Sequence, residues 1–182
     1  VIMIPTSETR GWMRMPEDST LTLKVAVIDT GLGLPHPLMP PSKGMIKMLS
    51  TTGEPPLDGL GHGSHVATTA FGGSFQTRFG LCQGVADSVQ GGLIIVKALS
   101  NIGFGTTFSV LRAMELAVKE GARVINMSLG GPLQGSVQDD PQCVIVEQLK
   151  DQVIFVIAAG NSGPGLWTIG SPGASPSAVC VG

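Results

Sequence analysis

The chain has 182 residues, of which 42% are hydrophobic and 26 are glycine, so its length and composition fit one packed, loop-rich domain. Charged residues make up 13% and the formal net charge is -2, which excludes a basic surface that would attract nucleic acid or an anionic membrane. No apolar run reaches the roughly 18 residues of a membrane helix, and the first residues lack the basic start and apolar core of a signal peptide.

The elements are predicted from hydrophobic period and from turn and cap residues. Residues 1–22 mix Pro, Met, Thr and charge without a period, and we interpret them as an extended arm before a domain over residues 23–182. In chain order the pattern then predicts a strand at 24–28, a short strand near 46–49, a helix at 63–71, a strand at 93–99, a helix at 107–120 with Thr107 as its cap, a strand at 123–129, a helix at 141–151, a strand at 153–159 and a strand starting at 178.

This alternation of strands and helices predicts the fold class. Parallel strands need helical crossovers, so we expect an α/β domain of three layers, with a mostly parallel sheet covered by helices on both faces. The cysteines are Cys82, Cys143 and Cys180, an odd number without Cys-x-x-Cys spacing. They argue against a zinc site, and we expect buried free thiols.

Polar residues of three kinds follow the predicted strands or begin a helix. Asp29 ends the first strand, His62 precedes a helix, and Asn161 follows a later strand. In open α/β sheets such groups meet at the carboxyl edge of the sheet. A carboxylate can orient an imidazole, which can then take a proton from a hydroxyl and return it to a leaving amine. Asp29 and His62 suit those two roles.

Four motifs carry a resemblance to a known family. They are Val27-Ile28-Asp29-Thr30-Gly31, Gly61-His62-Gly63-Ser64-His65-Val66-Ala67, Val124-Ile125-Asn126-Met127-Ser128-Leu129-Gly130-Gly131 and Ala158-Ala159-Gly160-Asn161. Together and in this order they resemble the subtilisin-like serine peptidases (subtilases, peptidase S8), over the amino-terminal part of the catalytic domain. The resemblance implies a serine endopeptidase that works through an acyl-enzyme, with Asp29 as triad acid, His62 as general base and Asn161 as side-chain donor to the oxyanion.

The resemblance also implies how substrate binds. An extended polypeptide would lie as an added strand between two backbone segments, Gly103-Phe104-Gly105 and Ser128-Leu129-Gly130, with a pocket bordered by Ala158, Ala159 and Gly160. Phe104 stands where family members often carry a smaller residue, so we expect it to narrow an adjoining pocket.

The family's nucleophile is missing from this sequence. Its Gly-Thr-Ser-x-Ala-x-Pro motif does not occur in residues 1–182, and in homologous chains it follows several dozen residues after the Asn161 motif. We therefore expect a catalytic domain that is incomplete at its carboxyl end, with the serine beyond residue 182 and residues 1–182 alone inactive. The alternative is a non-catalytic subtilase-like module that binds extended peptides; the presence of Asp29, His62 and Asn161 favours the enzyme.

Cofactor, partners and location are also expectations from resemblance. Calcium is a common family partner, but residues 72–86 contain no Asp or Asn to match the usual ligand loop, so no metal is assigned. A polypeptide substrate and a propeptide are the partners implied, with no nucleic acid and no membrane. Most relatives act outside the cytosol, so an extracellular location is expected, with an intracellular one left open.

Overall fold

The computed structural model describes residues 23–39, 46–78, 80–86, 92–133 and 135–182. Its strands are β1 (Val25–Asp29), β2 (Ile46–Ser50), β3 (Phe75–Thr77), β4 (Gly80–Cys82), β5 (Leu93–Lys97), β6 (Val124–Met127), β7 (Ile154–Ala158) and β8 (Val179–Val181), and its helices are α1 (His62–Phe71), α2 (Thr107–Lys119) and α3 (Pro141–Leu149). The arm predicted over residues 1–22 lies outside the described residues.

Six strands form one sheet in the order β2-β5-β1-β6-β7-β8, and every pairing is parallel. After β1 the chain builds β2 and β5 on one side, then crosses to build β6, β7 and β8 on the other. Strand β1 therefore lies where the strand order reverses. In doubly wound sheets the crevice at the carboxyl end of such a strand is where ligands bind.

The side chains of β1 alternate between two hydrophobic cores, one on each face of the sheet. Ala26 and Ile28 pack in a large core that includes residues of α2 and α3. Val27 points to the other face, where it packs in a smaller core with Ala67 of α1. All five residues of β1 are buried, as expected for a central strand covered on both sides. The predicted three-layer α/β fold is thereby confirmed.

The helices begin and end at residues that can cap them, and one predicted cap residue is wrong. The cap of α2 is Thr106, not the predicted Thr107, because the Thr106 hydroxyl accepts a hydrogen bond from the Ser109 amide at 3.0 Å. Helix α2 stops before Gly121, whose φ of 88° suits a helix end. Helix α3 begins at Pro141, after the Asp140 side chain, which accepts from the amides of Gln142 and Cys143.

A small antiparallel hairpin formed by β3 and β4 follows α1 and was not predicted. Its strands have three residues each and expose Phe75 and Leu81. Strands this short show too little alternation to be recognised from sequence.

Strands β7 and β8 expose apolar side chains on one face of the sheet. This is the face that α1 covers at β1, and among the described residues Ile154 is 56% exposed and Val179 and Val181 are 52% exposed each. In-register pairs of a parallel sheet point to the same side, so these residues and Val156 form one continuous apolar surface.

All three cysteines are free thiols, but only Cys143 is buried; Cys82 is half-buried and Cys180 is exposed on β8. The expectation of buried thiols is thus wrong for Cys180, because β8 lies at the edge of the sheet. Burial, with the nearby Asp140 carboxylate, raises the pKa of the Cys143 thiol to about 11. Among the described residues, no helix is both long and apolar enough to cross a membrane.

Candidate active site

Asp29 and His62 are joined by a hydrogen bond of 2.7 Å between Oδ1 and Nδ1. Asp29 is the last residue of β1 and its side chain is fully buried, whereas the His62 side chain is 48% exposed. The same Oδ1 accepts the Thr30 amide at 2.7 Å, which fixes the carboxylate from its own backbone. Within the described chain, His62 Nε2 has no hydrogen-bond partner, so it is available to a hydroxyl group.

The start of α1 is built to bring His62 to Asp29. Gly61 has a φ of 97°, and its carbonyl accepts the first helical hydrogen bond from His65 at 3.0 Å. The Thr30 hydroxyl accepts the Gly63 amide at 2.9 Å, which ties the first turn of α1 to the loop after β1. The glycines therefore allow the helix to start directly against the end of β1.

Lys97 lies beside Asp29 in the sheet and is fully buried, which the sequence did not predict. It is the register partner of Asp29 in β5. Its ammonium group donates to the Thr30 carbonyl at 2.6 Å and to Asn101 Oδ1 at 2.9 Å, and lies 3.3 Å from the Glu54 carboxylate. The charge is thus paired and hydrogen-bonded, as a buried charge must be.

Asp58 is a second polar residue that the sequence did not single out. Its carboxylate lies in the loop before α1 and accepts hydrogen bonds from Gly61, Ser64 and Thr30. Partial burial alone would raise the pKa of Asp58. The hydrogen bonds outweigh that effect and lower its pKa from 3.8 to about 2.

Asn161 lies at the same sheet edge but apart from the Asp29 and His62 pair. It follows β7, which is separated from β1 by β6, so the two strand ends are roughly 10 Å apart. Its side chain is exposed, and no hydrogen bond joins it to Asp29 or His62. The turn that presents it contains Gly160 with a φ of 98°.

The predicted substrate segments also come to this edge. Gly103, Phe104 and Gly105 follow β5, and the Phe104 side chain is 76% exposed. Ser128, Leu129 and Gly130 follow β6, and within the described chain their backbone groups make no hydrogen bonds. Ala158 ends β7, and Ala159 and Gly160 follow it. Gly173 packs against this strand end, since a β-carbon there would lie 2.6 Å from the Ala158 carbonyl oxygen.

The residues after α1 do not fit a calcium ion. Residues 72–86 carry no carboxylate, and β3 and β4 close there as a hairpin in which the Thr77 hydroxyl donates to the Gly80 carbonyl at 2.8 Å. In the described residues no group of three or more His, Cys, Asp or Glu side chains could hold a metal. Calcium prefers carboxylate and other oxygen ligands in number, which this hairpin does not supply.

The fold is a three-layer α/β domain with a parallel sheet, and a hydrogen-bonded aspartate and histidine lie at the carboxyl end of β1, where the strand order reverses. Acyl-transfer enzymes are found in this class of protein. The model of the subtilase family matches residues 21–182. The chain therefore belongs to the subtilase family, as the four sequence motifs predicted.

Similarity to individual proteases supports the family assignment. The chain is 35% identical to the minor extracellular protease Vpr of Bacillus subtilis over 172 residues, covering 88% of this chain and 20% of Vpr. It is 35% identical to subtilisin E of the same organism over 162 residues, covering 88% of this chain and 40% of subtilisin E. It is 37% identical to the serine protease AprX, also of B. subtilis, over 181 residues, covering 90% of this chain and 39% of AprX. The chain thus spans less than half the length of each of these three relatives.

Proposed function

We propose that this chain supplies the acid, the base, the oxyanion donor and the substrate-binding segments of a serine endopeptidase. The observation that carries the proposal is the 2.7 Å contact between buried Asp29 and half-exposed His62, whose Nε2 is unoccupied by any described residue. An imidazole held at one nitrogen by a buried carboxylate, with the other nitrogen open, is suited to general base catalysis.

The proposed reaction proceeds through an acyl-enzyme. His62 Nε2 takes the proton of a serine hydroxyl as the serine oxygen forms a bond to the peptide carbonyl carbon. The Asp29 carboxylate stabilises the imidazolium through Nδ1–H. His62 then gives the proton to the leaving amine as the carbon–nitrogen bond breaks, and water repeats the sequence to release the acid. Asn161 donates to the oxyanion that forms on the carbonyl oxygen in both halves.

We place the nucleophilic serine beyond residue 182. The proposal rests on the family motif, which residues 1–182 do not contain. Two serines near the site have hydrogen-bond partners: the Ser64 hydroxyl donates to Asp58 at 2.6 Å, and Ser128 Oγ accepts from the Asn126 side chain at 3.1 Å.

The proposed substrate is a polypeptide bound as an added strand. Unpaired backbone groups in Ser128, Leu129 and Gly130 support this, because strand addition uses main-chain hydrogen bonds. On the other side, Phe104 and Ile102 are each about three-quarters exposed, at 76% and 75%. Apolar substrate side chains would cover them. A location outside the cell is part of the proposal and rests on the resemblance and on the similarity to the minor extracellular protease Vpr.

The test is covalent labelling of the native-length protein with a sulfonyl fluoride, followed by peptide mapping. We expect one labelled serine, outside residues 1–182, and loss of labelling in His62→Ala. His65→Ala is the matched control, because His65 lies on the same helix. Hydrolysis of an apolar peptide substrate should fall about 10⁴-fold or more in His62→Ala. Unchanged labelling in His62→Ala, or labelling of a serine within residues 1–182, would overturn the proposed roles. A protein that binds peptide but takes no label is the non-catalytic module.

A further inference from the structure

We propose that Asp58 is a positioning residue that holds His62 in register with Asp29; the inference rests on the proposed function for its catalytic consequence. Asp58 makes no hydrogen bond or ion pair with the side chains of Asp29 and His62. It acts on the backbone segments that carry both.

The Asp58 carboxylate accepts hydrogen bonds from the base segment through both of its oxygens. Oδ1 accepts from the amides of Leu60 at 3.0 Å and Gly61 at 2.8 Å, and Oδ2 accepts from the Ser64 amide at 2.8 Å and hydroxyl at 2.6 Å. Gly61 immediately precedes His62, and Ser64 lies two residues after it. One carboxylate therefore holds the backbone on both sides of His62.

The same carboxylate also reaches the acid segment. Oδ1 accepts the Thr30 hydroxyl at 2.8 Å, and Thr30 follows Asp29 directly. The oxygen of that hydroxyl in turn accepts the Gly63 amide at 2.9 Å. The loop after β1 and the first turn of α1 are thus joined through Thr30 and Asp58. A shift of either segment relative to the other would stretch these bonds as well as the bond between Asp29 and His62.

The beginning of α1 needs such a partner. Its cap residue is Gly61, which offers no side-chain cap, and its first turn contains no acidic residue. The first amides of a helix are unpaired donors, and a negative charge beside them is stabilising. Asp58 supplies both the acceptor and the charge from outside the helix. Its lowered pKa, about 2, agrees with a carboxylate that stays ionised at the pH at which a histidine base works.

A purely structural cap would make the same contacts, so the test must separate positioning from stability. Glu147 provides the matched control, because its carboxylate accepts from the Ser175 hydroxyl at 2.7 Å and from the Ser177 amide and hydroxyl at 2.9 Å each. It lies on α3, whose buried Val146 belongs to the core on the face opposite α1. Removing its charge tests loss of hydrogen bonds without any link to His62.

The experiment compares Asp58→Asn, Asp58→Ala and Glu147→Gln in the native-length protein. Proton NMR follows the low-field resonance of the proton shared by His62 Nδ1 and Asp29, identified by its disappearance in His62→Gln. We expect its exchange with water to accelerate about 10-fold or more in Asp58→Ala, with Asp58→Asn intermediate because one acceptor oxygen remains. With peptide substrate, kcat should fall about 10- to 100-fold while KM changes less than about 2-fold. Glu147→Gln should lower thermal stability and change neither the resonance nor kcat.

The outcomes separate the two proposals. An unchanged resonance and an unchanged kcat in Asp58→Ala would overturn the positioning role, as would a loss of stability alone that matches Glu147→Gln. A protein without peptidase activity whose resonance nevertheless responds to Asp58→Ala retains the positioning role and loses the proposed function. If Asp58→Ala does not fold, Ser64→Ala removes the hydroxyl that donates to Asp58 at 2.6 Å and accepts from the Gly33 amide at 2.9 Å, and it should produce the same change in exchange on a smaller scale.

Discussion

The α-carbon of Gly63 lies against the carbonyl oxygen of Gly31, so closely that a β-carbon on Gly63 would be 2.3 Å from that oxygen. A real side chain cannot occupy this space without moving backbone. The first turn of α1 is therefore in direct contact with the loop after β1, beside the hydrogen bond that joins His62 to Asp29.

Replacing Gly63 with alanine should separate these two segments. We expect Gly63→Ala to lower the free energy of unfolding by about 1–3 kcal/mol, because overpacked sites must shift. The displacement of His62 should reduce peptide hydrolysis about 100-fold. Gly131→Ala is the control, since a β-carbon there meets nothing within 4 Å. Equal thermal stability of the two variants would show that the contact is not restrictive.

The buried Lys97 should contribute strongly to stability. In Lys97→Met the Glu54 carboxylate, the Thr30 carbonyl and Asn101 Oδ1 lose their shared donor, and we expect a loss of about 3 kcal/mol in urea unfolding. Lys47→Met is the matched control. Lys47 also pairs with a glutamate, Glu120, but its side chain is 53% exposed, so its replacement should cost less than about 1 kcal/mol. Similar losses in both variants would contradict the assigned pairing.

Asp58 should make the protein more stable above pH 4 than below it. Its pKa is lowered to about 2 in the folded protein from 3.8, so its contribution is fully present above 3.8 and is lost as pH falls through about 2. The difference in urea midpoint between the native sequence and Asp58→Asn should therefore shrink as pH is lowered from 5 to about 2. A difference that stays constant over this range is the contrary result.

Phe104 should influence substrate choice more than stability. Its side chain is 76% exposed at the predicted peptide-binding segment. Phe104→Ser should reduce the ratio of kcat/KM for apolar over polar substrate residues about 10-fold, which is about the effect of one methylene group in an apolar pocket. Phe75→Ser changes an exposed phenylalanine on the β3 hairpin and should leave this ratio unchanged. Parallel changes in both variants would exclude a specific role.

Replacing Asn161 should lower kcat and leave KM nearly unchanged. Loss of a side-chain oxyanion donor costs about 10²–10³ in rate in subtilisin, a relative in this family, and we expect the same range for Asn161→Ala. KM should change little, because the donor acts on charge that develops after binding. Ser162→Ala, at the next position, is the control. A proportional rise in KM instead would assign Asn161 to ground-state binding.

The sheet could be read from sequence because its central strands are short apolar runs that end in polar residues. The run of valines and isoleucines before Asp29 predicts a strand buried on both faces, and the structure places β1 within one residue of that prediction. Gly121 follows the end of helix α2 in both the prediction and the structure. Strands predicted to extend to residues 99 and 129 end earlier, at Lys97 and Met127, because local apolar character continues beyond the paired backbone.

Other features depended on contacts that no local pattern carries. A lysine at a strand end is normally exposed, so the burial of Lys97 follows only from partners that come from distant loops. Asp58 precedes a glycine in a loop and is typical of a turn residue; its bonds to Thr30 and Ser64 require the folded arrangement. The placement of His62 against Asp29 was predictable in kind from the motif, but the distance between them was not.

The exposed apolar surface on β7 and β8 has a consequence for handling the isolated chain. Strand β8 is the outer strand of the sheet and exposes Val179, Cys180 and Val181. An open strand edge with exposed valines can pair with the same edge of another molecule, and a neighbouring thiol can then make the pairing covalent under oxidising conditions. Concentrated preparations of residues 1–182 should therefore self-associate, and a reductant should reverse only the cross-linked fraction.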